Sequence, residues 1–213
     1  TTYLIDLLMK QSILLIIACL SFFGVSYAYD LKQGFVENRG QWMTSDREVY
    51  FENHDHQVSF RITSLGLEYE WAKPNGASLD LNRVYLEPLG GKLGAFQKME
   101  AVNDNFYYTS GREVVAKAYK KIVLKDLYPL IDWVIYDTEW GIKYDFIVHP
   151  GGDPRDIQLN WRNAEGVKIT GDGGMTVDGK LGEISDKAPI AFQGDQKVWV
   201  QYVLKGKRFG FDL

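Results

Sequence analysis

Three histidines, a run of aspartates and six tryptophans carry most of the chemical potential of this 213-residue chain. His54-Asp55-His56 sets two imidazoles two residues apart. On a strand that spacing puts both on one face, where they could share a metal ion. A third ligand, His149 or a carboxylate, would have to come from elsewhere. The plainer reading is a polar loop ahead of a strand. Asp132, Asp137, Asp145, Asp153 and Asp156 form an acidic series whose oxygens suit a structural calcium ion. Neither EF-hand nor nonapeptide spacing is present, and Asp153 before Pro154 is turn chemistry. Glu68 with Glu70, or Asp137 with Glu139, could supply the two carboxyls of a glycosidase. Surface strands and hairpin turns produce such pairs routinely. No G-x-S-x-G, H-E-x-x-H or phosphate-loop pattern occurs. No catalytic residue is predicted, and calcium is the only cofactor with any support. Among the tryptophans, most fall in phase with core-facing positions. Trp140 lies in a turn, with Tyr136 on the outward face of the preceding strand. These two are the candidate ligand-binding residues, and a sugar is the natural ligand for exposed aromatic rings.

The elements that must position these residues are strands. Hydrophobic content of 46% and charged content of 24% describe a folded globule, and 21 glycines supply turns. A net charge of -4 gives no footprint for nucleic acid. Lys121 to Trp161 holds the clearest alternation. Ile131, Trp133 and Ile135 share a face, as do Ile142, Tyr144, Phe146 and Val148, and Ile157, Leu159 and Trp161. Pro129 bends the chain before the first of these strands, Asp137 to Gly141 turns it after, and Pro150 to Pro154 interrupts it again. Gln57 to Thr63 and Leu67 to Trp71 read as a hairpin, with Pro74-Asn75-Gly76 breaking the second strand. Leu93 to Asp104 is hard to assign, and Arg112 to Tyr119 is ambiguous, with one helical turn or two possible before a strand from Tyr119 to Leu124. Later strands are short, separated by glycine-rich turns, with Lys197 to Leu204 read as one strand. The pattern predicts an all-β antiparallel sandwich-like domain over residues 29–213.

The N-terminus reads as a targeting segment. Met9-Lys10 starts a cationic region, Ser12 to Phe23 is apolar, and Ser26 and Ala28 sit where a signal peptidase reads small residues. Residues 1–28 are therefore expected to be a signal peptide starting at Met9 and cleaved after Ala28. The apolar run is shorter than the ~20 residues of a membrane-spanning helix, so no span is expected in the mature chain. Ile16-Ile17-Ala18-Cys19 loosely fits a lipobox, which would make an outer-membrane lipoprotein. Cys19 is the single cysteine, so the mature chain would lack thiol chemistry and disulfides.

Several segments together carry a family resemblance. GFVENRGQW at Gly34 to Trp42 resembles an F-x-E-N-x-G-Q opening. DLYPLIDWVIY and KYDFIVHPGGDPRDIQLNW resemble D-x-Y-P-G-I-D-x-x-Y and E-Y-D-F-x-V-x-P-G-x-D-P-x-x-I-x-L. DKAPIAFQ, VQYVL and RFGFDL resemble the strands that follow. The family so resembled is an uncharacterised β domain at the N-terminus of large secreted bacterial proteins, many with SBBP repeats or gliding-motility-associated C-terminal regions. Leu130 stands where the pattern has glycine, and Lys143 where it has glutamate. The pattern also runs past Leu213, so the chain is expected to be cut from a longer protein. The resemblance implies an exported structural or adhesive module whose partners are other domains of the same polypeptide, glycans or cell-surface proteins. It implies no catalytic residues. A carbohydrate-binding module and a β-sandwich hydrolase are the alternatives.

Overall fold

A computed structural model of the chain describes residues 14–21, 34–55, 58–109, 112–138 and 141–213. These form strands β1 (Leu14–Ser21), β2 (Phe35–Glu37), β3 (Val49–Asp55), β4 (Val58–Thr63), β5 (Gly66–Asn75) and β6 (Ser78–Pro88). Then come β7 (Phe96–Thr109), β8 (Arg112–Tyr128), β9 (Ile131–Thr138) and β10 (Gly141–Val148), and a short 3-10 turn at Pro154–Asp156. The last are β11 (Leu159–Arg162), β12 (Gly166–Ile169), β13 (Met175–Asp178), β14 (Glu183–Asp186), β15 (Ile190–Gln193), β16 (Gln196–Val198), β17 (Gln201–Lys205) and β18 (Arg208–Asp212). The protein is all-β and antiparallel.

One ribbon of paired strands runs β17, β18, β11, β6, β5, β4, β3, β2, β8, β9, β10, β1, β15, β16. β7 lies along β8, and β12, β13 and β14 form a smaller sheet that meets the end of β1. The ribbon folds over itself, so distant parts of it face each other. Phe146 of β10 meets Phe211 of β18 edge-on, with ring centroids 6.0 Å apart. Between the layers lies one continuous core. The alternation of Lys121 to Trp161 supplies its centre: Trp133 stacks on its cross-strand partner Phe146 at 5.7 Å, and Tyr144 meets both rings edge-on. Trp161 stacks on Phe209 and packs on Tyr69.

Arg112 to Tyr119, ambiguous in the sequence, is strand, and so is most of Leu93 to Asp104. They pair along their whole length as β7 and β8, with a bulge between Ala101 and Asp104. Pro74 does not end β5. The strand continues to Asn75, and the turn is made by Gly76 and Ala77. There the hairpin projects from the body, which suits a proline whose missing N–H faces water. Lys197 to Leu204 is two strands rather than one, because β16 pairs with β15 and β17 with β18. The switch of partner at Trp199-Val200 leaves Trp199 61% exposed. The residue after Pro129 also acquires a physical meaning. Leu130 has φ +60 at the second position of the two-residue β8–β9 turn. A proline followed by a positive φ is the type II arrangement, which favours glycine there. Gly66, at φ +121, opens β5 directly after the Ser64-Leu65 turn, and a side chain there would strike the Leu86 carbonyl.

Removing Trp133, wholly buried in the stack, should cost ~3–5 kcal/mol for the alanine variant. Trp199→Ala should stay within about 0.5 kcal/mol. Urea unfolding of the two variants measures both, and equal losses would contradict this account of the core.

Candidate functional site

Among the described residues, those singled out for chemistry meet in pairs and do not converge on one centre. His56 and Trp140 lie outside the described residues, as does Ala28. His54 falls within β3, opposite Ser59 of β4 in the backbone register. Tyr136 is half-buried on β9. Lys121 Nζ lies 4.9 Å from its ring centroid, and the neighbouring Asp145 shares a hydrogen bond with its hydroxyl. Burial and that carboxyl raise the Tyr136 pKa. The aspartate series is dispersed. Asp132 Oδ1 accepts from the Asp126 amide at 2.9 Å, and its Oδ2 binds Lys125 and His149 Nε2, the latter at 2.9 Å. Burial opposes the Asp132 charge, but these bonds outweigh it and lower the pKa. Asp137 pairs with Lys120, and Asp153 caps the 3-10 turn and holds Arg155. Among the described residues no three His, Cys, Asp or Glu side chains converge in a metal-binding group. Asp132 and His149 have the geometry of the orienting half of a triad. The hydrogen bonds on this pair come from Lys125 and the Asp126 amide.

Three arrangements emerge that spacing did not reveal. The first is a lateral row of charge on the outer face of the ribbon. Glu52, Arg61, Glu68, Tyr85 and Arg162 are successive cross-strand partners on β3, β4, β5, β6 and β11. Arg61 binds Glu52 at 3.0 Å, Glu68 at 2.6 Å and Glu70 at 3.0 Å, and Arg83 closes on Glu70. The Arg162 guanidinium lies 4.2 Å from the Tyr85 ring centroid. Arg47, from the loop before β3, folds over the row and grips Glu68 with Nε and Nη2. Glu68 is thereby buried completely. Burial works against the Arg47 and Arg61 charges, yet their carboxylate partners raise both pKa values.

The second arrangement is a buried carboxyl in the core. Asp186 ends β14, and its Oδ2 accepts from the Tyr144 hydroxyl at 2.9 Å. Burial pushes its pKa up to about 7, against bonds from Tyr144, Tyr202 and the Lys187 amide.

The third is a shallow cleft of about 390 Å³ lined by Glu37, Asn38, Trp42, Tyr50, Phe96 and Lys98, among others. Its rim is the GFVENRGQW segment. Asn38 shapes it: the side-chain amide donates to the carbonyls of Trp42 and Val49 at 2.8 and 2.7 Å, and its oxygen accepts from the Gly40 and Trp42 amides. Tyr50 and Phe96 pack at 4.7 Å to form the floor. Glu37 is pulled two ways. Burial opposes its charge, but Lys98 at 2.8 Å, Arg39 at 2.6 Å and the Lys117 amide lower its pKa overall.

The opening motif, the β8–β10 meander and the β14–β18 strands thus lie on one continuous fold, and a family model matches that whole span, residues 35–213. The chain belongs to the family DUF7948, a domain of unknown function. No curated protein and no solved structure matches it. Within this family span, the motif residues serve the scaffold. Asn38 and Gly40 build the turn, Pro129 and Asp132 hold the β8–β9 corner, and Trp133, Tyr144, Phe146 and Trp161 fill the core. The one departure with a visible consequence is Leu130, which holds a glycine-favouring conformation.

Two predictions test the ionic groups. Arg47→Ala should cost roughly 2–3 kcal/mol, because it takes the two-point partner from buried Glu68 and leaves that carboxylate to Arg61. Arg155→Ala, at an exposed pair, should cost far less. Chemical denaturation measures both. The second concerns pH. Unfolded, Asp186 loses its proton near 3.8; folded, it keeps it to about 7. Between those values the folded state binds more protons, so stability falls as pH rises. Asp145, also raised by burial, acts with the same sign. Glu37, Glu70 and Asp132, with lowered pKa values, are ionised in both states above about pH 5 and add no slope there. The melting temperature should be lower at pH 8 than at pH 5, and Asp186→Asn should shrink that difference. An unchanged difference would count against the buried acid.

Proposed function

We propose that this domain is a non-catalytic structural or adhesive module near the N-terminus of a larger secreted or cell-surface bacterial protein. Its partners are the other domains of that polypeptide and, at the surface, cell-surface proteins. One observation carries the reading: among the described residues, those of the motifs build turns and core. The charges of the outer face pair with one another in a row, which ties neighbouring strands together. The N-terminal pattern, a cationic start, an apolar run and Ser26 and Ala28, supports export. The resemblance to domains of SBBP-repeat and gliding-motility-associated proteins supports a place on the cell surface.

A carbohydrate-binding role is the second reading, favoured by the cleft whose floor is Tyr50 and Phe96 and whose rim holds Asn38, Glu37 and Lys98. Flat aromatic surface beside hydrogen-bonding groups is the chemistry of sugar recognition.

Expression in a diderm bacterium, followed by fractionation and mass measurement, tests the main reading. The exported product should begin at Tyr29, bind no glycan on an array and turn over no glycoside. An intact N-terminus retained in the cytoplasm would overturn export. Glycan retention lost on Trp42→Ala would replace the main reading with the second.

A further inference from the structure

β1 lies between β10 and β15, antiparallel to both. Leu14 to Cys19 pair with Val148 to Lys143, Leu14 to Ile17 pair with Gln193 to Ile190, and Leu20 and Ser21 then pair with Asp186 and Ser185 of β14. The other edge of β10 is taken by β9, and the other edge of β15 by β16. Both strands are therefore interior only while an extended segment lies between them. Yet β1 falls inside the apolar run that the proposed function assigns to a cleaved signal peptide. Without it, two strand edges face each other across a gap of one strand, roughly 10 Å by the usual spacing. Each edge carries a row of backbone N–H and C=O groups that need partners. One wall of the gap is also the centre of the core, because Ile142, Tyr144, Phe146 and Val148 of β10 are buried.

We propose that in the processed protein this gap is a strand-acceptor site, filled by an extended apolar segment of the same larger polypeptide, antiparallel to β10. The inference rests on the reading of residues 1–28 as a removed signal. Recognition would be mainly by main-chain hydrogen bonds to two edges, with apolar side chains at alternate positions. The sequence of β1, LLIIACLS, shows the chemistry that fits: about eight uncharged residues in extended form. A donor from the same polypeptide is favoured by the position of β18. Phe211 lies against Phe146 on the wall of the gap, so a segment tethered near β18 reaches the gap at high effective concentration.

The single cysteine makes the site testable. Cys19 is the backbone partner of Lys143 in the β1–β10 register. Lys143→Cys, on the half-buried outward side of β10, gives the processed domain one thiol. The probe is a synthetic LLIIACLS peptide flanked by solubilising lysines, added under mild oxidation and followed by mass. The peptide should be captured several-fold more by Lys143→Cys than by Lys205→Cys on exposed β17, and it should raise the melting temperature of the unmodified domain. The larger polypeptide carrying Lys143→Cys should not capture it, because its own strand fills the gap. Equal capture at positions 143 and 205, or none, overturns the acceptor site. Capture by the larger polypeptide as well overturns the donor named here. A product whose mass shows residues 14–21 retained, with a disulfide between Cys19 and the introduced thiol, overturns the processing reading instead, and with it any need for a donor.

Discussion

The stack of Trp133 on Phe146 joins β9 to β10 at the point where the two layers of the ribbon meet. Other contacts converge on it. Tyr144 packs edge-on against both rings and passes its hydroxyl to Asp186, tying β10 to the small sheet. Phe211 closes on Phe146 from β18, at the far end of the ribbon. An all-β domain has no helix to cover its inner face, so the face of one stretch of sheet must be covered by another. The aromatic rows of β5, β9, β10, β11 and β18 do this, and their large rings leave few positions where a smaller side chain would suffice. β10 is consequently both the centre of the core and a strand whose edges must both be paired.

The outer face is governed by a different balance. Glu52, Glu68 and Arg47 are buried there, and isolated charges in such places would be costly. The cost is offset because the charges alternate along a cross-strand row and each has a partner of opposite sign. A buried ion pair is a weak source of net stability, but removing one member is expensive. The row therefore fixes register and the path of the Arg47 loop more than it adds free energy. The same loop leads from the cleft into β3, so the ionic row and the cleft share a support.

These two features bear on function in opposite ways. The charge row is closed, with Arg61 and Arg47 bound to the carboxylates beside them. Asp186, raised to about 7 by burial, sits in the core, where it couples stability to pH. The cleft beside the opening motif is open and lined by both aromatic and polar groups. A domain built in this way suits a presenting or spacing role, with any recognition at the cleft or through strand addition.

Alternation made the class of the fold legible. The faces of Ile131 to Trp161, the hairpin at Gln57 to Trp71 and the short glycine-bounded strands after Val167 can be read from side-chain period alone, because a strand repeats every two residues. The turn at Pro129 follows from the proline itself, and Leu130 stands out only against the glycine of the resembled pattern. Local pattern failed where partners decide. Arg112 to Tyr119 became strand because β7 and β2 lie beside it, and the run around Trp199 split because its two halves pair with different neighbours. The charge row was invisible for the same reason: Arg47, Arg61 and Glu68 are adjacent only across strands. The rise in the Asp186 pKa needed a core assembled from segments 42 residues apart, which meet at Tyr144. Sequence determined which residues face inward, because that depends on period. The tertiary structure decided which strands are neighbours, and so which charges are paired and which edges require a partner, because those depend on contacts between residues far apart in the chain.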